Sequence, residues 1–121
     1  MRRLGELEAA IMAVLWGAAE AVTVRGVLEA LEREPEPAYT TVMTVLDNLH
    51  RKDIVTRERV GRAWAYRPAL AREDFDAEAM ASVLESSADR GATLLRFIGK
   101  ISLEELAQLK ALMDEAEGRP S

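Results

Sequence analysis

Cysteine is absent from the 121 residues, and histidine occurs once, at His50. Without thiols there is no disulfide, cysteine nucleophile, iron–sulfur cluster or thiolate metal site. One imidazole with no cysteine beside it cannot build a zinc site or a Cys–His pair within one chain. Beside Arg51 and Lys52, His50 reads as a phosphate contact or a helix-end residue. Gly91 and Gly99 stand alone, so no glycine-rich phosphate loop is present. No apolar run approaches the roughly 18 residues that span a membrane. The opening MRRLGELEAAIM is broken by Glu6 and Glu8 and lacks the apolar centre of a secretion signal. The chain is also about half the length of a TIM barrel. These absences lead us to expect a cytoplasmic protein without membrane partner, metal or cofactor, and not an enzyme. The pair Glu104-Glu105 falls in a first helical turn, where the helix dipole favours acid, and needs no catalytic role.

What is present is a folding composition, 49% hydrophobic and 31% charged. The net charge of −5 opposes a nucleic-acid partner, but its distribution does not. Residues 38–72 carry a local charge of +4, residues 1–37 carry −3 and residues 73–121 carry −6. A basic middle between acidic ends suggests one surface for a polyanion and another for a different task.

Three helices are expected first. Leu4, Leu7, Ile11, Val14 and Leu15 share one helix face, and Gly17 is a stop signal. Thr23 offers an N-cap oxygen to a second helix with Val24, Val27, Leu28 and Leu31 inward. Pro35 and Pro37 end that helix. A third starts at Thr40 or the residue before it, buries Val42, Val45, Leu46 and Leu49, and closes near Lys52 and Asp53. The period then changes. VTRERVGRAWAYRP reads as two strands around a Gly61-Arg62 turn, with Trp64 and Tyr66 on one face. A lone hairpin is marginal in water, so it must lean on the helices through one of these aromatics. Beyond residue 72 the chain is helical again, with a break at Asp89-Arg90-Gly91 and a capping box formed by Ser102 and Glu105.

Three helices followed by a basic hairpin is the order of a winged helix-turn-helix, whose third helix enters the DNA major groove. Thr40, Thr41, Thr44, Asn48, Arg51 and Lys52 lie on the polar side or end of that helix. Hydroxyls, carboxamide and guanidinium can all bond bases or phosphates. Arg57, Arg59 and Arg62 decorate the hairpin, where phosphate attraction suffices. Asp47 is a counter-signal, since phosphate repels a carboxylate; pairing with Arg51 one turn on would answer it. The fold class expected is mainly α with a small β-hairpin. A winged-helix DNA-binding domain at 1–72 precedes helical dimerisation at 73–121. The C-terminal helices are too short to persist alone. Either they fold back on the first domain or they pair with a second copy. We favour a homodimer through Phe75, Met80, Val83, Leu84, Leu95, Ile98, Leu106, Leu109, Leu112 and Met113. A winged-helix protein-interaction module without sequence-specific DNA binding is the competing reading.

The stretches YTTVMTVLDNLHRKDIV at 39–55 and RERVGRAWAYRP at 57–68 resemble the penicillinase-repressor family, the BlaI/MecI/CopY type. LGELEAAIMAVLW at 4–16 and TVRGVLEAL at 23–31 are similar to its first two helices. The resemblance implies a dimeric transcriptional repressor on a palindromic double-stranded DNA operator. By position, Thr40, Thr41, Thr44 and Arg51 match the recognition helix, and Arg59, Gly61 and Arg62 match the wing. Trp16 and Tyr39 would be structural. Copper-sensing members end in a cysteine cluster, which this chain lacks. Members answering β-lactams are cut by a regulatory protease before a Phe that follows an Asn. Here the similar stretch LLRFIGK at 94–100 offers Arg96-Phe97 instead.

Overall fold

A computed structural model describes residues 4–118. Their elements run α1 Glu6–Gly17, β1 Val22–Thr23, α2 Val24–Ala30, α3 Tyr39–Arg51, β2 Val55–Val60, β3 Ala63–Pro68, α4 Arg72–Ser86, α5 Arg90–Ile98 and α6 Leu103–Ala116. Contacts divide the chain into a unit ending at Ala79 and a unit beginning at Met80. No helix among the described residues is long and apolar enough to cross a membrane.

The first unit closes around side chains from each of its elements but β1, whose Val22 packs against the outside of the cluster. Ile11, Met12, Val27, Val42, Leu46 and Leu49 are inaccessible to solvent, joined by buried Leu15, Val24, Ile54, Val55 and Tyr66. The helical spacings of α1, α2 and α3 supply most of this set. Local chemistry sets the helix starts. The Thr23 hydroxyl accepts from the Gly26 N–H at 3.1 Å and caps α2. Glu8 reaches back to accept from the Gly5 N–H at 2.9 Å at the start of α1. The end of α3 is a Schellman turn. Asp53 N–H donates to the His50 carbonyl and Ile54 N–H to the Leu49 carbonyl, both at 3.0 Å. Asp53 accordingly takes φ +62°, in the left-handed region.

The sheet has three antiparallel strands in the order β1-β3-β2, where only a hairpin was expected. The extra strand is two residues long, Val22 facing Tyr66 and Thr23 facing Ala65. That is too short to display a two-residue period. In the hairpin Val60 faces Ala63, leaving Gly61 and Arg62 as the turn. Of the two only Gly61 has positive φ, +64°, the II′ pattern that matches the twist of the strands. Tyr66 rather than Trp64 is the aromatic driven into the core; Trp64 is half-buried against it. Helix α2 stops at Ala30, before the prolines expected to end it. Leu31 turns extended at its C-cap and buries its side chain.

Phe75 requires a correction. Expected on the dimerisation stripe, it is 8% exposed and belongs to the first core. Its ring meets Trp16, centroids 5.5 Å apart. The Trp16 indole N–H donates to the Leu70 carbonyl at 2.9 Å, and the Arg72 guanidinium lies 5.4 Å from the same ring. Trp16 thus fastens the segment after the wing to α1, and the first turns of α4 belong to the first unit.

The second unit holds the rest of α4 with α5 and α6. Asp89 caps α5 by accepting from the Ala92 N–H at 3.0 Å. The expected box caps α6: Ser102 Oγ accepts from the Glu105 N–H, and Glu105 Oε1 accepts from the Ser102 N–H, at 3.0 and 2.9 Å. Neither helix has a buried residue.

Candidate nucleic-acid interface

Helix α3 buries Val42, Leu46 and Leu49, and this turns the first half of its other face outward. Thr40, Thr41, Met43 and Thr44 are exposed there, with Tyr39 at the helix start. Asn48 is half-buried. A groove lies between this end of α3, the start of α2 and the hairpin turn. Thr23, Arg25, Tyr39, Met43, Arg62 and Trp64 are among its lining residues, and its volume is about 420 Å³. Arg25 stacks on Tyr39, its guanidinium carbon 5.5 Å from the ring centroid. Arg25 and Arg62 therefore flank one concave surface, at the end of α3 that carries the exposed threonines.

Two of these participants, Arg25 and Met43, were not expected at the site, and Tyr39 was expected only as a support. Their signals exist in the sequence but are weak alone. Arg25 is the second residue of α2, and Met43 falls outside the apolar stripe of α3. Only the packing of α2 beside α3 brings them together.

The wing arginines are held by their neighbours. Arg57 and Arg59 stand over the same Trp64 ring, 4.3 and 4.5 Å from its centroid. Their register explains this: Arg59 is directly opposite Trp64, and Arg57 is two residues along on the same face. Arg59 also donates to the Arg62 carbonyl at 3.0 Å across the turn. Arg57, with a side chain 23% exposed, further donates to Asp47 at 3.3 Å. Arg62 is exposed at the tip.

Asp47 pairs with Arg51 as expected, at 2.8 Å, and also with Arg57. The Arg51 hydrogen bond, with Arg57 adding to it, holds the Asp47 carboxyl below its ordinary range. Lys52 sits apart from the cluster. At the C-cap of α3 it is about 18 Å along the axis from Thr40, and its ammonium pairs with Glu8 of α1 at 3.2 Å. The Gly5 N–H, and then Lys52, hold the Glu8 carboxyl low. His50 is half-buried in the last turn of α3. Among the described residues no group of three or more His, Cys, Asp or Glu side chains is placed to hold a metal ion.

Solved structures share this architecture. The multidrug-efflux regulator MepR of Staphylococcus aureus aligns over 95% of this chain and 78% of its own, with 20% identity and a TM-score of 0.50. RosR of H. salinarum aligns over 82% of this chain and 94% of its own, with 24% identity and a TM-score of 0.51. These likenesses place the fold among winged-helix regulators. Sequence similarity goes further. The Transcriptional regulator BlaI of Mycobacterium tuberculosis is 40% identical over 120 residues, covering 97% of this chain and 87% of that protein. The Penicillinase repressor family profile matches residues 4–115, a span that includes the winged helix and most of the C-terminal helices. With an exposed threonine face on α3 and an arginine-bearing wing beside it, the chain belongs to the penicillinase repressor family of transcriptional regulators.

Proposed function

We propose that this chain is a homodimeric repressor that binds a palindromic operator. Helix α3 enters the major groove, and the β2–β3 wing touches the backbone beside it. The observation that carries this reading is the groove that Arg25 and Arg62 line at the end of α3 where Thr40, Thr41 and Thr44 are exposed. Hydroxyls and guanidinium groups suit phosphate and base edges, and recognition helices use their N-terminal residues for base contact. A MepR mutant has been solved bound to an oligodeoxyribonucleotide, which supports the same use of this fold. Thr41 and Thr44 supply sequence choice; Arg62 supplies phosphate attraction. Lys52, engaged by Glu8, contributes least of the expected contacts.

The second copy is inferred from the C-terminal unit. Leu103, Leu95 and Leu112 are 85%, 68% and 62% exposed, and Met80, Val83, Ile98, Leu109 and Met113 are also open to solvent. Leu84 and Leu106 are half-buried. An apolar recess of about 240 Å³ is lined by Met80, Val83, Leu84, Thr93, Leu94 and Phe97. Apolar side chains exposed in this number support an interface, and a two-fold dimer matches a two-fold operator. Relief of repression is assigned to a protease cutting Arg96–Phe97. That bond lies within α5, between the exposed Leu95 and Ile98, so cleavage divides the proposed interface.

Fluorescence anisotropy with duplex from upstream of the protein's own gene, against a scrambled duplex at two salt concentrations, tests the reading. Specific binding tighter by about a thousandfold, falling steeply with salt, is expected. Equal weak binding to both duplexes favours a protein-interaction module. Arg62→Ala is expected to weaken binding to every duplex and to shallow the log–log salt slope by about one. An unchanged slope removes the wing from the interface.

A further inference from the structure

Asp47 is the only carboxylate in α3. A negative charge there opposes every phosphate, yet the structure is built around it. Its Oδ2 accepts from Arg51 Nη2 at 2.8 Å, one turn along the same helix. Its Oδ1 accepts from Arg57 Nη1 at 3.3 Å, across to β2. Arg57 is itself fixed over Trp64. The carboxylate is thus held by one donor from its own helix and one from the wing, and it remains half-exposed. A guanidinium carries five N–H donors, so both arginines keep others for DNA.

The geometry points to Asp47 as a base-reading residue that accepts a hydrogen bond from a cytosine amino group, positioned for this by Arg51 and Arg57. The inference rests on the proposal that α3 occupies the major groove. There guanine presents N7 and O6 and thymine presents O4, all acceptors that repel a carboxylate. Only cytosine N4 and adenine N6 donate. The adenine amino group stands beside N7, an acceptor, whereas cytosine has a C–H beside its own. Cytosine is therefore the base that satisfies a carboxylate without a second penalty. Any other base sets an acceptor against the carboxylate as water is removed from it, a cost its two arginines do not cancel, and this turns its charge into discrimination. The two ion pairs keep it ionised and stop it rotating away from the base.

Selection from a random duplex library, with the full-length wild type, Asp47→Ala and Asp47→Asn, tests this. The wild type is expected to select cytosine at one fixed position in each half-site. Asp47→Ala is expected to make that position degenerate, losing roughly ten- to a hundredfold discrimination there. Asp47→Asn is expected to replace cytosine by adenine, because a carboxamide pairs with adenine N6 and N7. Asp47→Asn keeps the side-chain shape and one oxygen acceptor, so it gives the readout even if the alanine variant folds poorly. Unchanged preference at every position in both variants overturns the assignment and leaves the major-groove reading standing. A wild type that selects no sequence at all overturns both.

Discussion

The two units use similar apolar residues to opposite ends. In the unit ending at Ala79, helices and sheet close over an apolar core, and among its described residues every element but β1 supplies a buried side chain. In the unit beginning at Met80, α5 and α6 bury nothing, although Leu94, Leu95, Phe97, Ile98, Leu109 and Leu112 are as apolar as anything in the first. The difference is one of geometry. Three helices crossing a sheet can surround a side chain. Two short helices and the end of a third leave one side of each stripe open. The first unit is complete as a fold, while the second leaves its apolar stripes open to solvent.

The sharpest way to break this comparison is to remove one core side chain and one surface side chain of the same type. Leu46→Ala leaves a cavity under α3 and is expected to destabilise the first unit by about 3 kcal/mol, read as a fall in the denaturation midpoint. Leu112→Glu is expected to leave that transition almost unmoved. Sedimentation should instead show it shifting from dimer to monomer, with operator affinity falling about a hundredfold or more as the two half-sites are no longer joined. A Leu112→Glu protein that stays dimeric removes α6 from the interface.

Smaller effects probe the turns of the first unit. Asp53 occupies left-handed backbone at the carboxyl end of α3, where glycine is preferred and a negative charge is disfavoured. Asp53→Gly is expected to raise stability by about 0.5–1 kcal/mol, measured by urea titration. The smallest effect is expected from Glu8→Gln, which weakens the α1 cap and removes the pair with Lys52, costing about 0.5 kcal/mol or slightly more. Its pH dependence has a definite sign. The folded Glu8 carboxyl titrates below its ordinary range. Its contribution is therefore complete above that range and lost as pH falls through the lowered folded value. Wild type and variant should differ at neutral pH and converge in acid; a gap that widens in acid contradicts the pairing.

Much of the fold was legible because it rests on local chemistry. Thr23, the Ser102–Glu105 box and the Gly61-Arg62 turn act within a few residues of themselves, and each does what its residue type dictates. The Thr face of α3 followed from the apolar stripe that turns it outward. Elements that depend on distant partners were not legible. β1 exists because β3 is there to bond it. Phe75 is core because Trp16 waits for it 59 positions earlier in the chain. Lys52 meets Glu8, 44 positions earlier in the chain, a pairing that no local pattern displays.

The sequence by itself determined the helix faces, the caps, the turn of the wing and the placement of basic charge between acidic ends, since each depends on residues a few positions apart. Only the tertiary structure decided which charges stand together. It gathered Arg25, Tyr39 and Met43 beside Arg62, bound Asp47 to both Arg51 and Arg57, and paired Lys52 with Glu8. The physical reason is that hydrogen bonds, ion pairs and ring stacking act over a few ångströms in space. A linear pattern specifies such distances along one helix or strand, but not between elements that folding brings together.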